Sequence, residues 1–152
     1  MMKNEVFRFG ACYTLDNAPA AENKVITDIH IVSPLEEYIS IYRVEHVPVK
    51  IPAEFRRYNA DYLRLTPGLF PDMLTPIPKY SRAMMYSNLE SLYFEIDTKG
   101  QVAPGEYDVT VQLKSESTGN IKESATLTIT IIDADLPEQE ITVTQWFHCD
   151  CL

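Results

Sequence analysis

No apolar run in this chain approaches the ~18–20 residues that a helix needs to cross a bilayer. The opening stretch, MMKNEVFRFGACYTLDN, holds no continuous apolar segment of signal-peptide length. A cytoplasmic protein is the expectation from the chain as it stands, and an extracellular one if its natural N-terminus has been trimmed. Basic residues are few: 13 Lys and Arg face 22 Asp and Glu, a net charge of −9. Phosphate backbones and anionic membrane surfaces are repelled by that balance, so neither nucleic acid nor a membrane is an expected partner. Cysteine is scarce. Cys12, Cys149 and Cys151 are an odd set without regular spacing, which makes no disulfide framework, and reduced thiols are expected.

Several patterns that carry chemistry are also missing. There is no G-x-S-x-G elbow to present a nucleophile. On a strand, Cys149 and Cys151 share one face and His148 lies on the other, without the spacing of about two to four residues usual for zinc ligands. Asp133-x-Asp135 lacks the further oxygen ligands of a calcium loop. Neither a metal nor a cofactor is expected. The carboxylate pairs Glu36-Glu37 and Glu138/Glu140 stand in polar turns and read as solvated surface. His30 and His46 lie in strand text and read as structural residues.

What is present is β-structure. The stretch Leu92 to Ile132 reads as three strands and two turns. Leu92, Phe94 and Ile96 alternate with Tyr93, Glu95 and Asp97; Tyr107, Val109, Val111 and Leu113 alternate with Asp108, Thr110 and Gln112. Ala125, Leu127, Ile129 and Ile131 alternate with Thr126, Thr128 and Thr130. Side chains on a strand point to opposite faces in turn, so the pattern predicts an antiparallel sheet with one face in a core and one in water. Ala103-Pro104-Gly105-Glu106 is a turn leading into Tyr107, and Ser115 to Lys122 carries a Gly119-Asn120 hairpin signal.

Earlier strands are predicted at Val6 to Leu15, with a break near Gly10, at Lys24 to Val32 inside a sheet, and at Glu37 to Val49 with Pro48 at its end or on an edge. Ser81 to Tyr86 reads as a short strand. Between these, six of the ten prolines fall from Pro48 to Pro78. Proline fixes φ and lacks an N–H donor, so Arg56 to Lys79 is predicted to be a long loop. Its apolar residues are too many to leave in water, and Phe70 and Leu74 are expected to anchor it by burial. With 152 residues there is enough chain for one domain with a real core.

Asp133 to Glu140 reads as a linker. Ile141 to Leu152 begins a fresh strand, with Trp146, His148 and Asp150 on one face and Phe147, Cys149 and Cys151 on the other. The division expected is a sandwich over residues 1–136, then a linker and the start of a further domain over 137–152.

Three stretches carry a family resemblance: Pro67 to Pro76 (PGLFPDMLTP); Val102 to Tyr107 followed by Leu136-Pro137; and Trp146 to Cys151 (WFHCDC). In order and spacing they resemble the N-terminal region of glycoside hydrolase family 123-like proteins, from about Glu37 to the end. The resemblance implies an immunoglobulin-like β-sandwich ahead of a (β/α)8 barrel. It implies hydrolysis of terminal N-acetylhexosamine residues, in which the acetamido oxygen attacks the anomeric carbon beside an adjacent Asp-Glu pair of the barrel. That pair has no counterpart here. No catalytic residue is therefore expected in this chain, and its expected work is to pack on its own barrel. Trp146, His148 and Asp150 are expected to point toward the barrel mouth, where Trp can stack on a sugar and His and Asp can bond its hydroxyls. Tyr58, Tyr62, Phe70 and Tyr80 are candidates for a carbohydrate platform, although anchoring of the loop is the stronger reading. The alternatives are a carbohydrate-binding module and an adhesion or interaction sandwich without sugar chemistry.

Overall fold

The structure, a computed structural model, describes residues 1–14, 26–50, 65–78, 82–84, 89–115, 118–138 and 140. It is an all-β sandwich of two four-stranded antiparallel sheets. The strands are β1 (Val6–Thr14), β2 (Ile26–Val32), β3 (Ile39–Val49), β4 (Gly68–Ile77), β5 (Arg82–Met84), β6 (Leu89–Asp97), β7 (Gly105–Ser115) and β8 (Ile121–Ile131). One sheet has the order β1-β6-β3-β4 and the other β5-β2-β7-β8. A short 3-10 turn, Glu36–Tyr38, leads into β3, so the strand begins two residues later than the sequence indicates. No helix among the described residues is long and apolar enough to cross a membrane.

Period-two alternation builds the core. Ile39 and Ile41 from β3 meet Ile96 and Phe94 from β6 in register, and all four are buried. Ile29 and Ile31 from β2, Val109 from β7, and Ile129 and Ile131 from β8 supply the opposite layer. The Phe9 and Phe94 rings stack at 4.7 Å with 9° between their planes. β1 runs unbroken through Gly10, which pairs with Tyr93. As expected, β2 lies inside its sheet, between β5 and β7.

The three-strand stretch does not form one sheet. β6 belongs to the first sheet, while β7 and β8 pair in the second. The segment between β6 and β7 carries the chain over the end of the sandwich. Gln101 N–H donates to the Thr98 carbonyl at 2.9 Å, and the buried Thr98 hydroxyl donates to the Lys3 carbonyl. Alternation fixes which side chains face inward but says nothing about which of two facing sheets a strand joins. The β7–β8 hairpin is where the Gly-Asn signal puts it. Gly119 takes φ +67, its N–H donates to Ser115 at 2.7 Å, and Ser115 N–H donates to Asn120 at 2.9 Å.

The proline-bearing stretch is not all loop. Gly68–Ile77 is a strand on the outer edge of the first sheet, paired with β3. Pro71 and Pro76 are tolerated because an edge strand needs donors on one side only. Asp72 is the extra residue of a bulge that falls opposite the Glu45/His46 step. β3 pairs with β6 only from Ile39 to Arg43, and from Val44 to Val49 it pairs with β4 alone, as a two-stranded ribbon. The expected anchors in this ribbon are not core residues: Phe70 is half-buried and Leu74 is 45% exposed.

The end of the sandwich near Lys3 is tied shut. Met2 forms a parallel bridge with Ile132, Lys3 N–H donates to the Ala134 carbonyl at 2.9 Å, and Asn4 Nδ2 donates to the Leu136 carbonyl at 2.9 Å. Lys3 Nζ lies 2.9 Å from Asp133 and 3.4 Å from Asp135. The Asp133 carboxylate, with Asp135 behind it, holds the ammonium above the ordinary lysine value.

This packing predicts a sharp contrast between two apolar truncations. Phe94→Ala removes a ring with no exposed surface and is expected to cost about 3–5 kcal/mol in urea unfolding. Leu74→Ala is expected to change stability by no more than about 0.5 kcal/mol. Equal losses at the two positions would contradict this placement of the core.

Candidate functional site

The sequence-predicted site residues are distributed unevenly over the described chain. Trp146, His148 and Asp150 lie outside the described residues, as do Tyr58, Tyr62 and Tyr80. Phe70 is described, in β4 opposite Val47, so of the expected aromatic platform only this ring can be placed. Glu37, Glu138 and Glu140 are exposed and Glu36 is half-buried. Among the described residues no group of three or more His, Cys, Asp or Glu side chains could hold a metal ion. Cys12 is an exposed free thiol whose Sγ lies 3.3 Å from Ser91 Oγ.

The structure assembles two features that the sequence reading did not single out. The first is polar and sits on the inner face of the first sheet, toward the end opposite Lys3. Tyr13 of β1 pairs directly with Glu90 of β6, and Arg43 of β3 lies close enough to act on the same hydroxyl. Glu90 is only 6% exposed, and it is the buried carboxylate of the described chain. Burial pushes the Tyr13 hydroxyl up to about 12, the Glu90 charge adds to that effect, and Arg43 opposes it. A phenol that stays protonated at neutral pH can donate a hydrogen bond but is no nucleophile. Alternation could have located Glu90, because it shares its face with Leu92 and Phe94, and a charge in that register is an exception to the pattern.

The second feature is a cleft. Between β1 and β8 lies a cavity of about 560 Å³. Leu92, Val109 and Val111 form its floor, Phe9 and Ala11 one wall, and Ala125 and Leu127 the other. Tyr13 and Leu113 also line it. The lining is mostly apolar, and part of the space exists because alanines stand at 11 and 125 where the other inward positions carry large side chains. Two alanines at inward positions were visible in the sequence, but that they face one cleft follows only from the topology.

Comparison with solved structures gives a clear likeness of fold. The fold matches that of a family 123 glycoside hydrolase from Clostridium perfringens whose structure was analysed for glycolipid glycan hydrolysis, with a TM-score of 0.60 and 12% sequence identity. The match covers 90% of this chain and 23% of that enzyme, so the chain spans about a quarter of the enzyme's length. At this identity the likeness establishes a shared fold. No family model matches the chain, and no curated protein matches it.

The inner polar cluster makes a prediction about alkaline pH. The folded state holds the Tyr13 proton more tightly than the unfolded chain does. Its stabilising contribution is therefore complete below pH 10.0, the ordinary tyrosine value, and is lost as pH rises toward about 12. An ultraviolet titration of the folded protein should show a late tyrosinate component with a midpoint near 12 that Tyr13→Phe removes. Loss of amplitude at the ordinary tyrosine value of 10.0 in Tyr13→Phe, with no late component in either protein, would place this hydroxyl in water.

Proposed function

We propose that this chain is the non-catalytic sandwich domain of a glycoside hydrolase acting on N-acetylhexosamine-type glycans, and that it packs on and supports a catalytic (β/α)8 barrel. The observation that carries this reading is the fold likeness: nearly all of this chain aligns with a minor part of a family 123 enzyme. The motif order from Pro67 to Cys151 points the same way. Hydrolysis of a hexosaminide needs a carboxyl pair held around the sugar. Glu90 is the one buried carboxylate among the described residues, beside Tyr13 and Arg43, and a single carboxylate does not make such a pair.

A packing role also has a surface to work with. On the outer face of the first sheet, Gly10, Tyr93, Tyr42 and Pro76 form one row across the four strands. Leu74 and Leu69 continue the apolar character along β4, at 45% and 62% exposed. The Arg8–Glu95 ion pair, 2.9 Å, lies beside this row. An apolar centre containing Tyr with charged groups at its side is the composition of a protein-facing patch. The same two tyrosines, 6.2 Å apart and tilted by 65°, favour a second reading, a carbohydrate-binding module.

The test is to read the gene past Leu152. A barrel with an adjacent Asp-Glu pair supports the proposal, whereas a stop codon or a run of further sandwiches contradicts it. The 152-residue chain alone is expected to release no product from aryl N-acetylhexosaminides, and turnover that follows the purified protein would overturn the non-catalytic assignment. Glycan titration distinguishes the second reading, because saturable binding lost in Tyr42→Ala would favour the module.

A further inference from the structure

The two sheets end in four strand edges, and the edges are not alike. β4 carries Pro71, Pro76 and a bulge, and β5 has three residues. Prolines, bulges and short length all keep a sheet edge from accepting another strand. β1 and β8 have nine and eleven residues and no proline. Along Phe9–Thr14 and Glu123–Leu127, no described strand pairs with the outer edge of either. These two unguarded edges border the same cavity.

Further down, the seam between them is already closed by main chain. The Met1 amino group donates to the Thr130 carbonyl at 2.7 Å, Ile132 N–H donates to the Met1 carbonyl at 3.0 Å, and Met2 bridges Ile132 in parallel. Beyond that point the strands part and the cleft opens over its apolar floor. An oily small molecule in this space would leave the edge N–H and C=O groups of both strands to water. An extended peptide would meet them and place every second side chain on the floor, continuing the pairing that Met1–Lys3 begins. Glu123 stands in the lining and the chain carries a net charge of −9, so cationic flanks complement the site.

We propose that the β1–β8 cleft receives an extended peptide strand, about as long as Phe9–Thr14, with apolar side chains at alternate positions and basic residues at its ends. This inference stands on the edges and the cavity and does not rest on the glycoside hydrolase reading.

The test uses the 152-residue chain and the acetylated peptide Lys-Val-Thr-Val-Thr-Val-Thr-Lys, beside a control in which the central Val is Pro. Amide hydrogen exchange followed by NMR should slow about tenfold or more within Phe9–Thr14 or Glu123–Leu127 when the first peptide is added, and should not change with the second. Leu127→Lys, at a position already 37% exposed, should abolish the effect, and Leu69→Ser in β4, at the opposite edge of the first sheet from β1, should preserve it. No slowing with either peptide overturns the proposal. So do equal effects of the two peptides, which would mark a merely apolar site. So does protection that grows with protein concentration alone, which would make a second copy the occupant. Displacement of the dye anilinonaphthalenesulfonate by the first peptide and not by the second is a second readout, and its failure would also contradict the assignment.

Discussion

Everything in this sandwich hangs on the contact between the inner faces of β6 and β7. β6 lies between β1 and β3, and β7 lies between β2 and β8, so each is an interior strand, as β3 and β2 also are, and each is the one that neighbours the open edge strand of its sheet. Phe94 and Ile96 from β6 and Val109 from β7 have no exposed surface. Burying each such side chain stabilises the fold by about 1.5–3 kcal/mol relative to leaving it in water. β3, β2 and β8 extend the same layer through Ile39, Ile41, Ile29 and Ile129. Neither sheet has an inner face that could stand alone, which is why two sheets fold as one unit.

The consequences differ at the two ends. Toward Lys3 the strand ends are roped together by main-chain bonds, the buried Thr98 hydroxyl and the Asn4–Leu136 pair, and Leu35 is fully buried. Toward Tyr13 the sheets carry a polar cluster and a cavity instead of a filled core. No buried side-chain polar atom among the described residues lacks a partner, so the cluster is satisfied and is no defect of packing. The edges follow the same division of labour. β4 is protected by prolines and a bulge and offers its side chains outward, while β1 and β8 keep unmodified edges over an apolar floor. The first arrangement fits packing of a folded neighbour, and the second fits addition of a strand.

Much of this was legible in the sequence, because period-two alternation reports burial directly. Leu92, Phe94 and Ile96 were correctly separated from Tyr93 and Glu95, the Gly119-Asn120 turn was found at its hairpin, and the strand at Arg82–Met84 was found inside Ser81 to Tyr86. Three things were not legible. Alternation is the same for either of two facing sheets, so the division between β6 and β7 did not show. Proline argues against an interior strand but not against an edge, so Gly68–Ile77 read as loop, and Phe70 and Leu74 read as anchors. The Tyr13–Glu90–Arg43 cluster joins three strands far apart in sequence, and no local pattern brings them together. The fold likeness to the Clostridium perfringens enzyme agrees with the β-sandwich that the family resemblance implies, while the Trp146, His148 and Asp150 reading falls outside the described residues.

The central claim is that the two sheets are locked through β6 and β7, closed at the Lys3 end, and open along the upper β1–β8 seam. Native-state hydrogen exchange on the unliganded chain tests it most directly, since amides open with free energies that follow local packing. The slowest amides should lie in β6, β7 and the Ile39–Arg43 part of β3, with edge-facing amides of Phe9–Thr14 and Glu123–Leu127 exchanging much faster. Protection along the upper seam as strong as at Phe94 and Ile96 would contradict the account.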